Sequence, residues 1–219
     1  MSEPQTLDIF ADPICPWSML GKANLDRALE SRPDHPFVLA WHPFRLNPQT
    51  PRGGYDRAAY MQAKYGNDAA RMDAQVMDAA ARAGVDVDLL AIRRVPDTTD
   101  AHRLLHWAGV EGVQTPVMSA LMRGYWREGR DIGDPEVLAA LAASAGMDPA
   151  MVRRLLASDA DLDTIAAREA HARERGVNSV PTYIIAGRHA VSGAQPVALW
   201  QNVIDELNQQ PPAGAEPSS

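Results

Sequence analysis

The sequence predicts an α/β fold in which a small mixed sheet is interrupted by a long all-helical insertion. Three observations lead there. Strand-like runs stand only near the two ends of the chain, in residues 7–41 and 180–192. Between them, from Arg57 to Arg175, apolar residues recur at helical spacing with no strand signal. Short strand pairs are not stable alone, so those at the two ends must share one sheet.

Leu7 to Ala11 reads as the first strand and ends in the Asp12-Pro13 punctuation. A helix beginning near Met19 follows, with Leu20, Leu25, Ala28 and Leu29 at helical spacing up to Ser31, and Arg32-Pro33 stops it. Phe37 to Trp41 is the second strand, apolar on both sides as in a strand covered on both faces, and Pro43 carries it outward. Asn47 to Gly54 is loop. Arg57 to Ala83 reads as helix with Gly84 as its stop, followed by helices over Asp100–Ala108, Val117–Arg127, Pro135–Ala145, Pro149–Ala157 and Leu162–Arg175. Asp134-Pro135 and Asp148-Pro149 each put an acceptor at an N-cap and a prearranged φ at the first helical position. Gly146 and Gly176 are expected as left-handed caps. Val180 to Ile185 and Ala190 to Ser192 form a hairpin about Gly187-Arg188-His189, and Pro196 opens a last helix with Trp200, Val203, Ile204 and Leu207 on one face. The first two strands, joined by a helical crossover, should be parallel, and the last two antiparallel.

The bulk numbers narrow the function classes. The chain has 219 residues, 46% hydrophobic and 22% charged, long enough for a sizeable core. A formal net charge of −7 without a basic run argues against nucleic acid as a partner. No apolar stretch reaches the roughly 20 residues of a membrane span, and residues 1–6 lack the features of a signal peptide. A single cysteine leaves no internal disulfide and suits a reducing compartment, so the expected location is cytoplasmic.

That cysteine stands in Asp12-Pro13-Ile14-Cys15-Pro16-Trp17-Ser18, at a strand-to-helix junction. The first turn of a helix offers unpaired N–H groups and the positive end of its dipole, and both favour thiolate over thiol. The layout is that of a redox Cys-x-x-Cys with Ser18 in the second place. Ser18 can donate a hydrogen bond to the thiolate, or serve simply as a helix-start serine.

Cys15-Pro16-Trp17-Ser18 after a first strand, and Asn178-Ser179-Val180-Pro181-Thr182 before a late one, resemble the paired signatures of thioredoxin-fold proteins. The helical insertion narrows the resemblance to the DsbA-like group. Asp100 to Ala108, Gly176 to Thr182 and Val191 to Pro196 are similar to its FrnE-like branch. The resemblance implies thioredoxin-like parts over 1–56 and 176–208 and a helical insertion over 57–175, while a composition rich in Pro, Ala, Gly and Ser makes 209–219 an expected disordered tail. It also implies a cis Val180–Pro181 bond beside Cys15, leaving the Val180 backbone to pair with a peptide or glutathione. Relatives in this branch have cysteine where Ser18 stands. The related kappa-class glutathione transferases and 2-hydroxychromene-2-carboxylate isomerases have serine at the position of Cys15.

The expected activity is a monothiol disulfide oxidoreductase, with Cys15 and Ser18 catalytic and Pro16, Trp17, Val180, Pro181, Gly193, Ala194 and Gln195 binding substrate. Its partners would be protein or small-molecule disulfides, with glutathione as a co-substrate and no tightly bound cofactor or metal; a homodimer is left open. A glutathione-dependent isomerase or transferase, with Gly193-Ala194-Gln195 near the γ-glutamyl end, is the second reading. A non-catalytic thiol or peptide binder is the third. His102 and His106 stand four apart, a spacing zinc can use, but the blander expectation for them and for His42 is packing or surface. Trp41, Trp107, Trp126 and Trp200 are expected in the core, as are Met61, Met72, Met77, Met118 and Met122.

Overall fold

The computed structural model describes residues 4–209. The chain opens with β1 (Gln5–Ala11), α1 (Pro16–Ser31) and β2 (Phe37–Pro43). A two-residue strand β3 (Tyr55–Asp56) leads into α2 (Arg57–Tyr65) and α3 (Ala69–Ala83), and β4 (Arg94–Val95) pairs back antiparallel to β3. The helices α4 (Thr99–Val110), α5 (Gln114–Trp126), α6 (Pro135–Ser144), α7 (Pro149–Leu156) and α8 (Leu162–Glu174) follow. β5 (Thr182–Ile185), β6 (His189–Ser192) and α9 (Val197–Gln209) complete the described chain.

The main sheet has the order β2-β1-β5-β6, with β1 parallel to β2 and antiparallel to β5. The two ends of the chain thus share one sheet. Alternation along β1 sorts its residues by face. Leu7, Ile9 and Ala11 join the main core with Leu20 and Leu25 of α1, Tyr183 of β5, and Trp200 and Ile204 of α9. Phe10, on the other face, joins a smaller cluster with Cys15, Phe44, Val180 and Ala172 of α8. The Tyr183 and Trp200 rings meet edge to face with centroids 4.7 Å apart.

The Asp-Pro helix starts form as the sequence predicts: Asp134 accepts from the Glu136 amide at 2.8 Å, and Asp148 from the Ala150 amide at 2.9 Å. Such caps contribute about 1 kcal/mol each. Gly146 and Gly176 follow their helices with φ of 98° and 85°.

Five expectations need correction. The first helix begins at Pro16, because proline is favoured in the first turn, where no N–H is needed. β2, the edge strand of the sheet, buries Phe37 and Trp41 on one face but leaves Val38 on the other exposed, so it is not fully covered on both faces. The stretch from Arg57 to Ala83 is two helices, separated at Gly66 (φ 54°) and a short 3₁₀ turn over Gly66–Asp68. The β3–β4 ladder inside the helical region carries too few residues to show a period. Gln209 ends α9, and the rest of the expected tail lies outside the described residues. Among the described residues no helix is long and apolar enough to cross a membrane.

Candidate functional site

The connection from β1 to α1 builds the site. Cys15 is the N-cap of α1 (φ −81°, ψ 121°), its carbonyl accepts the Met19 amide at 3.1 Å, and Pro16 fills the first turn. The thiol is buried and donates to the Val180 carbonyl at 3.6 Å. The Val180–Pro181 bond is cis, as the resemblance implies. The Val180 amide finds no acceptor among the described residues. The backbone beside the sulfur therefore keeps a free donor.

Ser18, one turn along, is 1% exposed, and its hydroxyl has no hydrogen-bond partner while the cysteine is a thiol. Burial pushes the Cys15 thiol up; the Ser18 amide and hydroxyl and the Trp17 amide pull the other way, while the Asp12 charge adds to the rise. The expectation of a thiolate lowered by the helix start is therefore corrected. The donors are in place, but desolvation of the sulfur outweighs them.

Asp12 lies under this loop, wholly buried. One carboxylate oxygen accepts the Ile14 amide at 3.3 Å, and the other accepts the Leu46 amide at 2.7 Å and the Thr98 hydroxyl at 3.2 Å. It thereby ties the cysteine loop to the segment after β2 and to the start of α4. Burial raises its carboxyl to about 7 against these three donors. The buried His102 of α4 holds its Nε2 3.9 Å away, without a hydrogen bond, and burial lowers its ring to about 4. Trp126 adds a second tie, its indole N–H donating to the Pro13 carbonyl at 2.9 Å.

Above the thiol lies a cavity of about 320 Å³. Ile14 to Trp17 and Asn178 to Val180 form one side; Met61, Met72 and Val76 of α2 and α3, with Trp126, form the other. Of the sequence-predicted site residues, Cys15, Pro16, Trp17 and Val180 line it. Ser18 lies beneath in the first turn. Gly193, Ala194 and Gln195 do not line it and instead brace Pro181 and α1: the Gly193 amide donates to the Pro181 carbonyl at 2.7 Å, and the Gln195 carbonyl accepts from the Asn24 side chain at 2.9 Å. Gly21 permits that packing. A Cβ there would strike the Tyr183 hydroxyl and come within 3.1 Å of Pro181.

The four tryptophans expected in the core are buried, and so are Met118 and Met122. Met61 and Met72 instead face the cavity and Met77 is exposed, because α2 and α3 pack with one side only. His42 and His106 flank the Arg168 guanidinium, which donates to each Nδ1 at 3.1 Å. Their Nε2 atoms face Asp8 at 2.7 Å and Asp161 at 3.7 Å. This chain joins β1, β2, α4 and α8 by hydrogen bonds. Sequence reasoning did not single out Asp12, Arg57, Tyr60, Lys64 or Tyr125. Asp12 had a visible signal, an acid three residues before the cysteine, but it reads equally as turn punctuation.

Residues 6–205 match the DSBA-like thioredoxin domain family. The chain belongs to that family. A probable DsbA oxidoreductase, SCO1869 of Streptomyces coelicolor, is 28% identical to this family member, with a TM-score of 0.84 over 98% of this chain and 94% of that one. A 2-hydroxychromene-2-carboxylate isomerase is 16% identical, with a TM-score of 0.71 over 93% and 96%. The cytosolic disulfide reductase DsbM of Pseudomonas aeruginosa, solved with glutathione, is 17% identical, with a TM-score of 0.69 over 94% and 100%. The last two likenesses establish shared fold alone.

Proposed function

We propose that this DsbA-like protein is a monothiol disulfide oxidoreductase whose reacting atom is the Cys15 sulfur. The observation that carries this reading is the meeting of the chain's only thiol and the Val180 backbone at one cavity, with the unpartnered Ser18 hydroxyl one helical turn beneath. The thiol loses its proton to water, and the thiolate attacks one sulfur of a substrate disulfide. A Cys15–substrate disulfide forms, the substrate S–S bond breaks, and the other half leaves as a thiolate with the bonding pair. The Ser18 hydroxyl and the amides of the first turn stabilise the Cys15 anion before attack and again when it departs. The chain has no second cysteine, so an external thiol such as glutathione attacks the mixed disulfide and releases Cys15. A cytoplasmic thiol pool suits that requirement.

The free Val180 amide fits an extended chain laid beside the sulfur, which favours a peptide or glutathione as the bound half. The test is reduction of insulin driven by dithiothreitol. Wild type should exceed Cys15→Ala clearly, and equal rates would remove the proposal.

The raised Cys15 thiol favours a second reading, a glutathione-dependent isomerase or transferase. A neutral thiol at a helix start can donate to a bound glutathione thiolate without reacting. In that case Cys15→Ser would keep glutathione affinity, whereas the monothiol mechanism loses its covalent step with the sulfur.

A further inference from the structure

The cavity lining includes a cation that no carboxylate neutralises among the described residues. Lys64 of α2 and Arg57 both line the cavity. Arg57 is engaged by Asp73 through two bonds of 2.6 and 3.1 Å. Lys64 has no carboxylate partner among the described residues. Its ammonium donates to the Tyr60 hydroxyl at 2.9 Å and sits 5.3 Å from the centroids of both the Tyr60 and Tyr65 rings. The Tyr60 hydroxyl donates in turn to Asn47 at 2.9 Å, so its oxygen is fixed as an acceptor for Lys64. Two rings and one hydroxyl orient the ammonium without cancelling its charge. The space between this cation and Cys15 is walled by Met61, Met72, Val76 and Leu89. In a chain of net charge −7, a positive point at the mouth of an apolar cavity selects among ligands.

We propose that the cavity takes small disulfides with an apolar body and a carboxylate, the body against the methionines and the acid at Lys64. This rests on the monothiol reading and specifies its substrate class. The size agrees, since about 320 Å³ is at the lower end of small-molecule sites. The reaction is the exchange already described. Cys15 bonds to the sulfur of one half, the substrate S–S bond breaks, and the second half leaves as its thiolate.

Two chromogenic disulfides separate the contributions of body and charge. Dithiobis(nitrobenzoate) carries a carboxylate on each aromatic ring, and dithiodipyridine is aromatic without one. The second-order rates of both with Cys15 are measured in wild type, Lys64→Gln, Lys64→Glu and Lys64→Arg. The ratio of anionic to neutral rate should fall a few-fold in Lys64→Gln and about tenfold in Lys64→Glu, stay near wild type in Lys64→Arg, and shrink with added salt. Arg188→Gln removes the same charge from the β5–β6 turn and should leave the ratio unchanged. If both probes react and the ratio ignores Lys64, the selection is overturned while the monothiol reading stands. If neither probe reacts with Cys15, both fall.

Discussion

Asp12→Asn tests what a wholly buried carboxyl under the cysteine loop does to this protein. In the unfolded chain the group titrates near 3.8, and in the fold burial raises it to about 7. Below pH 3.8 both states hold the proton. Between pH 3.8 and 7 only the folded state holds it, so stability falls as pH rises through this window. Above pH 7 both are ionised and the dependence ends. About three pH units at roughly 1.4 kcal/mol each give a loss of about 4 kcal/mol assignable to this carboxyl. Asparagine has no such proton, so the stability difference between wild type and variant should shift by about that amount between pH 4 and pH 8. Taking the difference cancels every other titrating group that the substitution leaves alone. Urea unfolding at several pH values supplies the measurement. With its oxygen toward Leu46 and Thr98 and its NH₂ toward the unpaired Nε2 of His102, the asparagine keeps two of the three bonds and loses the one from the Ile14 amide, a cost that does not vary with pH and so drops out of the comparison between pH values. The Asp12 charge also raises the Cys15 thiol, so the variant should be alkylated faster than wild type at pH 8. A stability difference constant to within about 1 kcal/mol across the range would refute the reasoning.

Three further outcomes follow from the same geometry. Ser18→Ala should slow Cys15 alkylation at pH 8 by about tenfold, because a hydrogen bond to a charged group is worth roughly 1.5–3 kcal/mol; its urea midpoint should hold or rise, since the hydroxyl is unpaired beside the thiol. Ser18→Cys should form an intramolecular disulfide with Cys15, seen by mass after mild oxidation, and should raise insulin reduction because release no longer awaits an external thiol. Glu169→Gln should cost about 3 kcal/mol near neutral pH, since the buried carboxylate accepts from Arg45 and Arg173 at 2.8 and 2.9 Å. Burial alone would raise that carboxyl, but the two arginines hold it below the ordinary range, so the cost should shrink as acid protonates it. Denaturation of the variant at pH 7 and pH 3 checks both parts.

The sheet was legible because its parts are local signals. Alternation in β1, the apolar run of β2 and the turn at Gly187 each specify a strand, and the helical middle leaves them one another as partners. Asp134-Pro135 and Asp148-Pro149 carry their caps within four residues. What stayed hidden depends on long-range placement. The β3–β4 ladder has two residues a side and no period of its own. The Cys15 environment depends on how much water the helical region excludes, and a helix-start argument omits that desolvation. Lys64 carries no signal of its own in the sequence; only the placement of α2 in the fold brings it to the cavity that Cys15 lines. Gly193 to Gln195 follow the strand after Pro181, yet the turn of the chain there puts them against α1, not in the cavity.

The central claim is that Cys15 forms a mixed disulfide that the protein alone cannot resolve. Intact mass measured after prolonged incubation with oxidised glutathione at alkaline pH, which favours ionisation of a thiol that burial raises, tests it most directly. One glutathionyl adduct at Cys15, removed by dithiothreitol and absent in Cys15→Ala, is the predicted result; an unmodified wild-type mass after prolonged exposure would contradict it.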